Sequence, residues 1–282
     1  GALGETLAQA ARSHGVTIRL SSPVQSIIKE HDRVCGVKLD SGEQISAKIV
    51  MSSADPVTTF KTLLGYRHIE TGMARRVEHY RTGSGTAKLH LVLSGLPEFS
   101  GLPATAMSHR LVIAPSMDAM ESMLNPAKYG EVSDQQLFDI SIPSIEDKTL
   151  VSDGAHVLTS LVHYLPYSPK EGWDSLKPQV LDRLLDQLEG YAPGIKSLVT
   201  SAELLTPADI EATFGLTGGN WHHGELSIDQ ALMMRPFPGA TQYQTPVRGL
   251  VLCGAGAHPG GGLMGVAGKN AAREILRGGH LS

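Results

Sequence analysis

Apolar residues fall into helical and strand-like periods along most of the chain. Leu3, Leu7, Ala10 and Ala11 keep the spacing of one helix face, and Gly15 supplies a stop, which predicts an opening helix. Residues 16–20 then read as a strand, with Ser22-Pro23 as a break. The runs 24–29, 34–39 and 44–51 alternate apolar and polar positions, separated by Glu30-His31-Asp32-Arg33 and Asp40-Ser41-Gly42-Glu43. Period-two alternation between such turns predicts a β-meander. Asp55-Pro56 reads as a helix start, with Asp as N-cap and Pro in the first turn.

Beyond that point the pattern is mixed. Strands are expected at 86–93, 137–142 and 156–163, and helices at 117–124, 175–191 and 207–214, the last capped by Thr206. Val180, Leu184, Leu185 and Leu188 share one helix face, so that helix is expected to cover a sheet. Near the C-terminal end, 249–253 is a short continuous apolar run, as expected of a parallel strand buried on both faces. The loop 254–262 follows, and 263–277 reads as a helix with Leu263, Val266, Ala267, Ala271 and Ile275 inward and Gly278-Gly279 as its end.

Composition narrows the function classes. With 41% hydrophobic and 18% charged residues over 282 positions, the chain can bury a real core, and disorder is excluded. A net charge of −4 gives no basic field for nucleic acid. Cys35 and Cys253 lie in separate strand-like runs without a Cys-x-x-Cys, and His-Glu-x-x-His is absent, so no metal site is expected. No basic-then-apolar leader and no 20-residue apolar span appear; the expected location is cytoplasmic or peripheral to a membrane. The first residue is not Met, so the native start is expected upstream.

Glycine is the outlier. Of 31 glycines, 15 follow residue 214, and eight of these fall between Gly249 and Gly268. Strand, glycine loop and helix form an anion-accepting unit, because free N–H groups and the helix dipole converge at the helix start. Gly260, Gly262 and Gly265 match G-x-G-x-x-G by letter, but no strand and acidic residue follow at Rossmann spacing, and no Walker lysine is present. The loop reads as a secondary contact to a polar or anionic ligand, or as a tight packing turn.

The run from Gly249 to Gly268, with Gly218-Gly219-Asn220, Leu226–Gln230 and Arg235-Pro236, resembles the C-terminal motif of the phytoene desaturase-like flavoproteins. Residues 15–24, Val34-Cys35-Gly36-Val37 and 52–56 are similar to that family's middle section. The resemblance implies an α/β (α+β mixed) architecture: the C-terminal part of a two-domain FAD/NAD(P)-binding fold, lacking the N-terminal dinucleotide-binding βαβ unit. It divides the chain into an FAD-side part (1–56 and 246–282) and a substrate domain (57–245). It further implies FAD as cofactor in the full-length protein, weakly held or absent in these residues alone. Val24 matches a strand beside the adenine, and Gly254 and Ala255 match the turn along the pyrophosphate and ribityl chain, with Gly262 in the same loop. Met264, Gly265 and Val266 match the helix start facing the pyrimidine edge of the flavin. An acid that wider flavoproteins place on the ribityl chain would fall at Ala255, so that contact is expected to be backbone-mediated or absent.

Trp221-His222-His223 lies where this family closes the substrate cavity over the flavin, ahead of Glu225, Asp229 and Arg235. His223 as a proton shuttle, with Arg235, is the implied catalytic pair; a hydrogen-bonded histidine pair is the plainer reading. His258 is expected to fix the turn. Met107, Met117, Met120, Met123, Met233 and Met234 could line a pliable apolar channel, although their helical spacing also suits ordinary core. The expected function is FAD-dependent dehydrogenation or desaturation of an apolar, isoprenoid or lipid substrate. The rival is a non-catalytic binding domain that keeps the fold. The expected partners are that apolar substrate and the N-terminal FAD-binding part of the same chain.

Overall fold

The computed structural model describes residues 1–83 and 85–278. The opening helix α1 (Ala2–Ser13) precedes strands β1 (Val24–Glu30), β2 (Arg33–Leu39) and β3 (Gln44–Ser46), an antiparallel meander in which Ile27 faces Val37 and Val37 faces Ile45. Strand β4 (Val50–Ser52) leaves that sheet and pairs in parallel with β10 (Leu250–Leu252), Val50 opposite Leu250. The expected single strand over 44–51 is therefore two. It breaks at 47–49 because the chain passes from an antiparallel neighbour to a parallel one. Arg248 joins the two layers by accepting a bond from the Val34 N–H at 2.8 Å.

Asp55 is the N-cap the sequence predicts: its carboxylate accepts from the Thr58 N–H (2.9 Å) and Thr58 hydroxyl (2.7 Å). The helix it starts widens into a π-helix over Thr58–Leu64, closed by the Gly65 N–H donating to the Phe60 carbonyl. Helix α2 (Thr71–Glu78) follows and packs Met73 and Val77 inward.

The middle of the chain forms one five-stranded antiparallel sheet. Its order is β6 (Leu111–Ile113), β7 (Leu137–Ser141), β8 (His156–His163), β5 (Thr86–Leu93), β9 (Val199–Leu205). Period-two alternation sends Ala87, Leu89, Leu91 and Leu93 of β5 to one face, all fully buried. Helix α4 (Trp173–Tyr191) covers that face with Val180, Leu184 and Leu188, as its apolar stripe requires. Helices α3 (Met117–Lys128), α5 (Ile195–Leu198) and α6 (Pro207–Phe214) complete this layer. Thr206 and Asp209 form a reciprocal capping box at α6.

A second core gathers residues far apart in sequence: Ile27, Val34, Phe60, Val77, Phe237 and Leu250 among them. Helix α7 (Val266–Leu276) closes it with Ala267 and Ala271. Three expectations differ. Residues 16–20 are extended but form no strand, and Val16 and Leu20 are exposed, because no described strand lies alongside to pair with them. Helix α1 exists, yet none of its residues is buried. Helix α7 begins at Val266 rather than 263, because Gly265 takes the left-handed conformation (φ 61°) at the N-cap; Leu263 consequently points outward, 89% exposed. Gly279 lies outside the described residues. No described helix is long and apolar enough to cross a membrane.

Candidate cofactor and substrate site

The glycine loop hangs from the β4–β10 pair. Backbone continues the pairing past the strands, with the Cys253 N–H donating to the Ser52 carbonyl at 2.9 Å. At Gly254 the two chains approach so closely that a Cβ would lie 2.2 Å from the Ser53 carbonyl oxygen. Two short turns, Ala257 N–H to Gly254 and Gly260 N–H to Ala257, then curl the loop back. His258 Nδ1 donates to the Leu232 carbonyl at 2.8 Å, so this histidine pins the loop to its neighbour.

Arg235 holds the same neighbour in place. It is fully buried, and its five N–H groups face five backbone carbonyls. Nε donates to Ala255 at 2.9 Å. One terminal nitrogen donates to Gln230 (3.0 Å) and Glu225 (3.4 Å), the other to His222 and Gly224. The guanidinium thus ties the 222–230 segment to the glycine loop, and burial pushes its pKa down.

His222 and His223 diverge. His223 is buried with φ 59°, its carbonyl accepts the Tyr80 hydroxyl at 2.8 Å, and its Nδ1 has no hydrogen-bond partner among the described residues. Burial pushes its imidazole pKa down, against Asp55, which pulls it up. The same burial pushes the Tyr80 phenol up to about 12. His222 is half-buried and lies beside the loop: a Cβ on Gly261 would come 3.9 Å from its Nδ1. Its other side lines a cavity of about 350 Å³. One wall is Trp221, His222 and Leu226; the opposite wall is the ends of β5, β7 and β8, with Thr86, Asp139 and His163. His163 is also depressed by burial.

The site residues implied by the sequence thus occupy distinct places. Ala255, Arg235 and the 222–224 backbone meet. Gly262, Met264 and Gly265 form the exposed outer rim of the loop, and Val266 opens α7. Val24 heads β1, in the meander sheet. The rim leaves the first backbone N–H groups of α7 open. A Cβ at Gly265 would meet nothing within 4 Å, the first turn of α7 has no side-chain cap, and Met264 stands open beside it. Of the methionines, Met107 and Met123 are buried while Met117 and Met233 are largely exposed, so they share no common environment. His163, Asp139 and Arg110 come together only in the sheet, and nothing in their spacing along the sequence marks them.

These three histidines set an acid limit on stability. Each has a folded pKa below its usual 6.5, so the unfolded chain binds more protons as pH falls through that value. Stability is complete above about pH 6.5 and declines on acidification towards the folded values. We expect the melting temperature to fall between about pH 7.5 and pH 5.5, and His223→Gln to flatten that slope. An unchanged slope in the variant would show that His223 is not held neutral.

No family model matches the chain. Pyridine nucleotide-disulfide oxidoreductase domain-containing protein 2 of Rattus norvegicus is 36% identical over 289 residues, covering 98% of this chain and 50% of the relative. A lycopene-forming phytoene desaturase of Pseudescherichia vulneris is 27% identical over 282 residues, covering 98% and 54%. The chain matches the C-terminal half of phytoene desaturase-like flavoproteins. The chain spans about half the length of the curated relatives it matches. Its fold agrees with solved structures at low identity. An oxidoreductase from Methanosarcina mazei superposes with TM-score 0.59 at 15% identity, covering 97% of this chain and 53% of that one. A putrescine oxidase variant gives 0.53 at 14%, covering 96% and 52%. The architecture is a mixed helix-and-sheet part of the flavoprotein fold.

Proposed function

We propose that the protein containing these residues is an FAD-dependent oxidoreductase of the dehydrogenase or desaturase type. The observation that carries this reading is the uncapped start of α7 beside an open glycine rim, one histidine away from a half-open cavity. Val24, Gly254, Ala255, Gly262, Met264, Gly265 and Val266 would hold the cofactor together with an N-terminal part of the same chain. Bound FAD supplies the hydride acceptor. The backbone N–H groups opening α7 would stabilise negative charge on the bound cofactor, and Leu263 and Met264 would help to shield it from water. Arg235 is a positioning residue, since its five donors are spent on backbone. His222, between the loop and the cavity, moves the proton, and buried His223 is the second candidate for that role. The meander, β4, β10 and α7 serve the cofactor, and the five-stranded sheet serves an apolar-bodied substrate.

The test is absorption near 450 nm, the flavin band. The full-length protein is expected to purify yellow and the 282 residues alone nearly colourless. A colourless full-length protein that does not take up added FAD would end the flavoenzyme reading.

A further inference from the structure

We infer that the 350 Å³ cavity binds a ligand through a neutral oxygen head, a hydroxyl or a carbonyl, and disfavours a charged head of either sign. This rests on the proposed function only in naming the ligand a substrate; the binding itself needs no flavin. The charges lining the cavity are already engaged in pairs. Arg110 holds Asp139 through both carboxylate oxygens, and Glu225 is held by Arg81 at 2.8 Å. An incoming ammonium meets the Arg110 guanidinium, and an incoming carboxylate meets Asp139 and Glu225. Either ion therefore meets a like charge already held in a pair, a repulsion that a neutral head does not meet.

The other polar side chains lining the cavity are uncharged. Among the described residues, the Trp221 indole N–H and the His222 ring have no hydrogen-bond partner, and the Trp221 and His222 rings stand side by side with centroids 6.1 Å apart. His163 faces them from the sheet, with Thr86 Oγ1 3.5 Å from its Nδ1. The indole donor, the His222 ring with one donating and one accepting nitrogen, and the second nitrogen of His163 fit a neutral oxygen that accepts and, as a hydroxyl, also donates. Leu161 and Leu226 give the apolar part of the ligand a surface, and Leu226, 65% exposed, leads outward towards Ile228. An unadorned hydrocarbon leaves the indole and the His222 ring desolvated without partners, which is the reason to require a polar head.

The experiment is equilibrium binding to the native full-length protein. It is read as the difference in indole fluorescence between that protein and its Trp221→Phe variant, with octanol, octanone, octylammonium and octanoate as probes. Octanol and octanone are expected to give saturable differences, at affinities at least about ten-fold above those of either ion. Octanol above octanone assigns a hydroxyl, and the reverse a carbonyl. His163→Leu with His222→Leu should weaken the better probe about ten-fold. An ion that binds as well as octanol overturns the inference, as does the absence of any saturable difference. If the double variant folds poorly, the ranking of the four probes on the wild-type protein decides. Flavin content is scored separately: a colourless protein with the expected ranking keeps this site and loses the flavoenzyme, and a yellow protein without it does the reverse.

Discussion

Arg235→Met is expected to lower the unfolding free energy by about 3–5 kcal/mol, the range for stripping a buried charged group from its partners. Two opposed costs decide the size. Methionine removes the penalty of burying a cation that has no carboxylate beside it. It also leaves five carbonyls, from His222, Gly224, Glu225, Gln230 and Ala255, converging on a side chain with nothing to donate. Those carbonyls belong to loops, and their dipoles point at one another once the guanidinium is gone. They cannot all turn to water, because the position is fully enclosed. The second cost therefore wins. Arg235→Lys should recover less than half of the loss, since one ammonium offers three donors without the planar fork. Urea denaturation of the three proteins checks this. A loss below about 1 kcal/mol for methionine would mean that the loop finds other partners.

Gly254→Ala should cost about 3 kcal/mol or more, through overpacking of one backbone against another. The added Cβ would lie 2.2 Å from the Ser53 oxygen and 2.8 Å from its carbonyl carbon, and neither can swing aside as a flexible side chain does. The β4–loop contact must open by about an ångström to reach ordinary van der Waals distance. Gly265→Ala makes the useful contrast. Nothing lies within 4 Å of its Cβ, but its φ of 61° is left-handed. The expected cost there is about 1 kcal/mol, purely conformational. A denaturation series in which the two rank the other way would contradict the close approach at Ser53. In the full-length protein, Gly254→Ala should also reduce bound flavin, since the loop it displaces forms the proposed wall.

Local pattern carried much of this fold. The strand Thr86–Leu93 and the helix Pro207–Phe214 begin and end where alternation and the Thr206 cap place them. Asp55 caps its helix because a side-chain acceptor before proline has few other uses. What pattern could not reveal were choices made by neighbours. Residues 16–20 alternate like a strand and remain unpaired; 44–51 alternate like one strand and serve two sheets. Leu111–Ile113 and Val199–Leu205 are the two edge strands, each with one partner, and neither shows a clear alternation of its own. The site followed the same division. The glycine loop stood out by composition, whereas Arg235 reads in sequence as a charge free to meet a substrate. Only the fold shows that all its donors are committed. His163 lies 59 residues before His222 in the chain, and only the fold brings them to opposite walls of one cavity.

The parallel pairing of Val50–Ser52 with Leu250–Leu252 also bears on how the molecule is made. The five-stranded sheet draws on one uninterrupted stretch, 86–205, and can condense while synthesis continues. The other core cannot. Phe60, Val77 and the strand at 50 are complete early, yet the buried strand that seals them arrives some 200 residues later, with about 10 seconds or more of elongation between the two. Throughout that interval the emerging chain carries an unsatisfied strand edge and an open apolar face. Stalling or truncation before residue 250 should therefore yield a product with one intact sheet and one sticky, half-built core. Such a product is a natural client for a chaperone that recognises exposed strands.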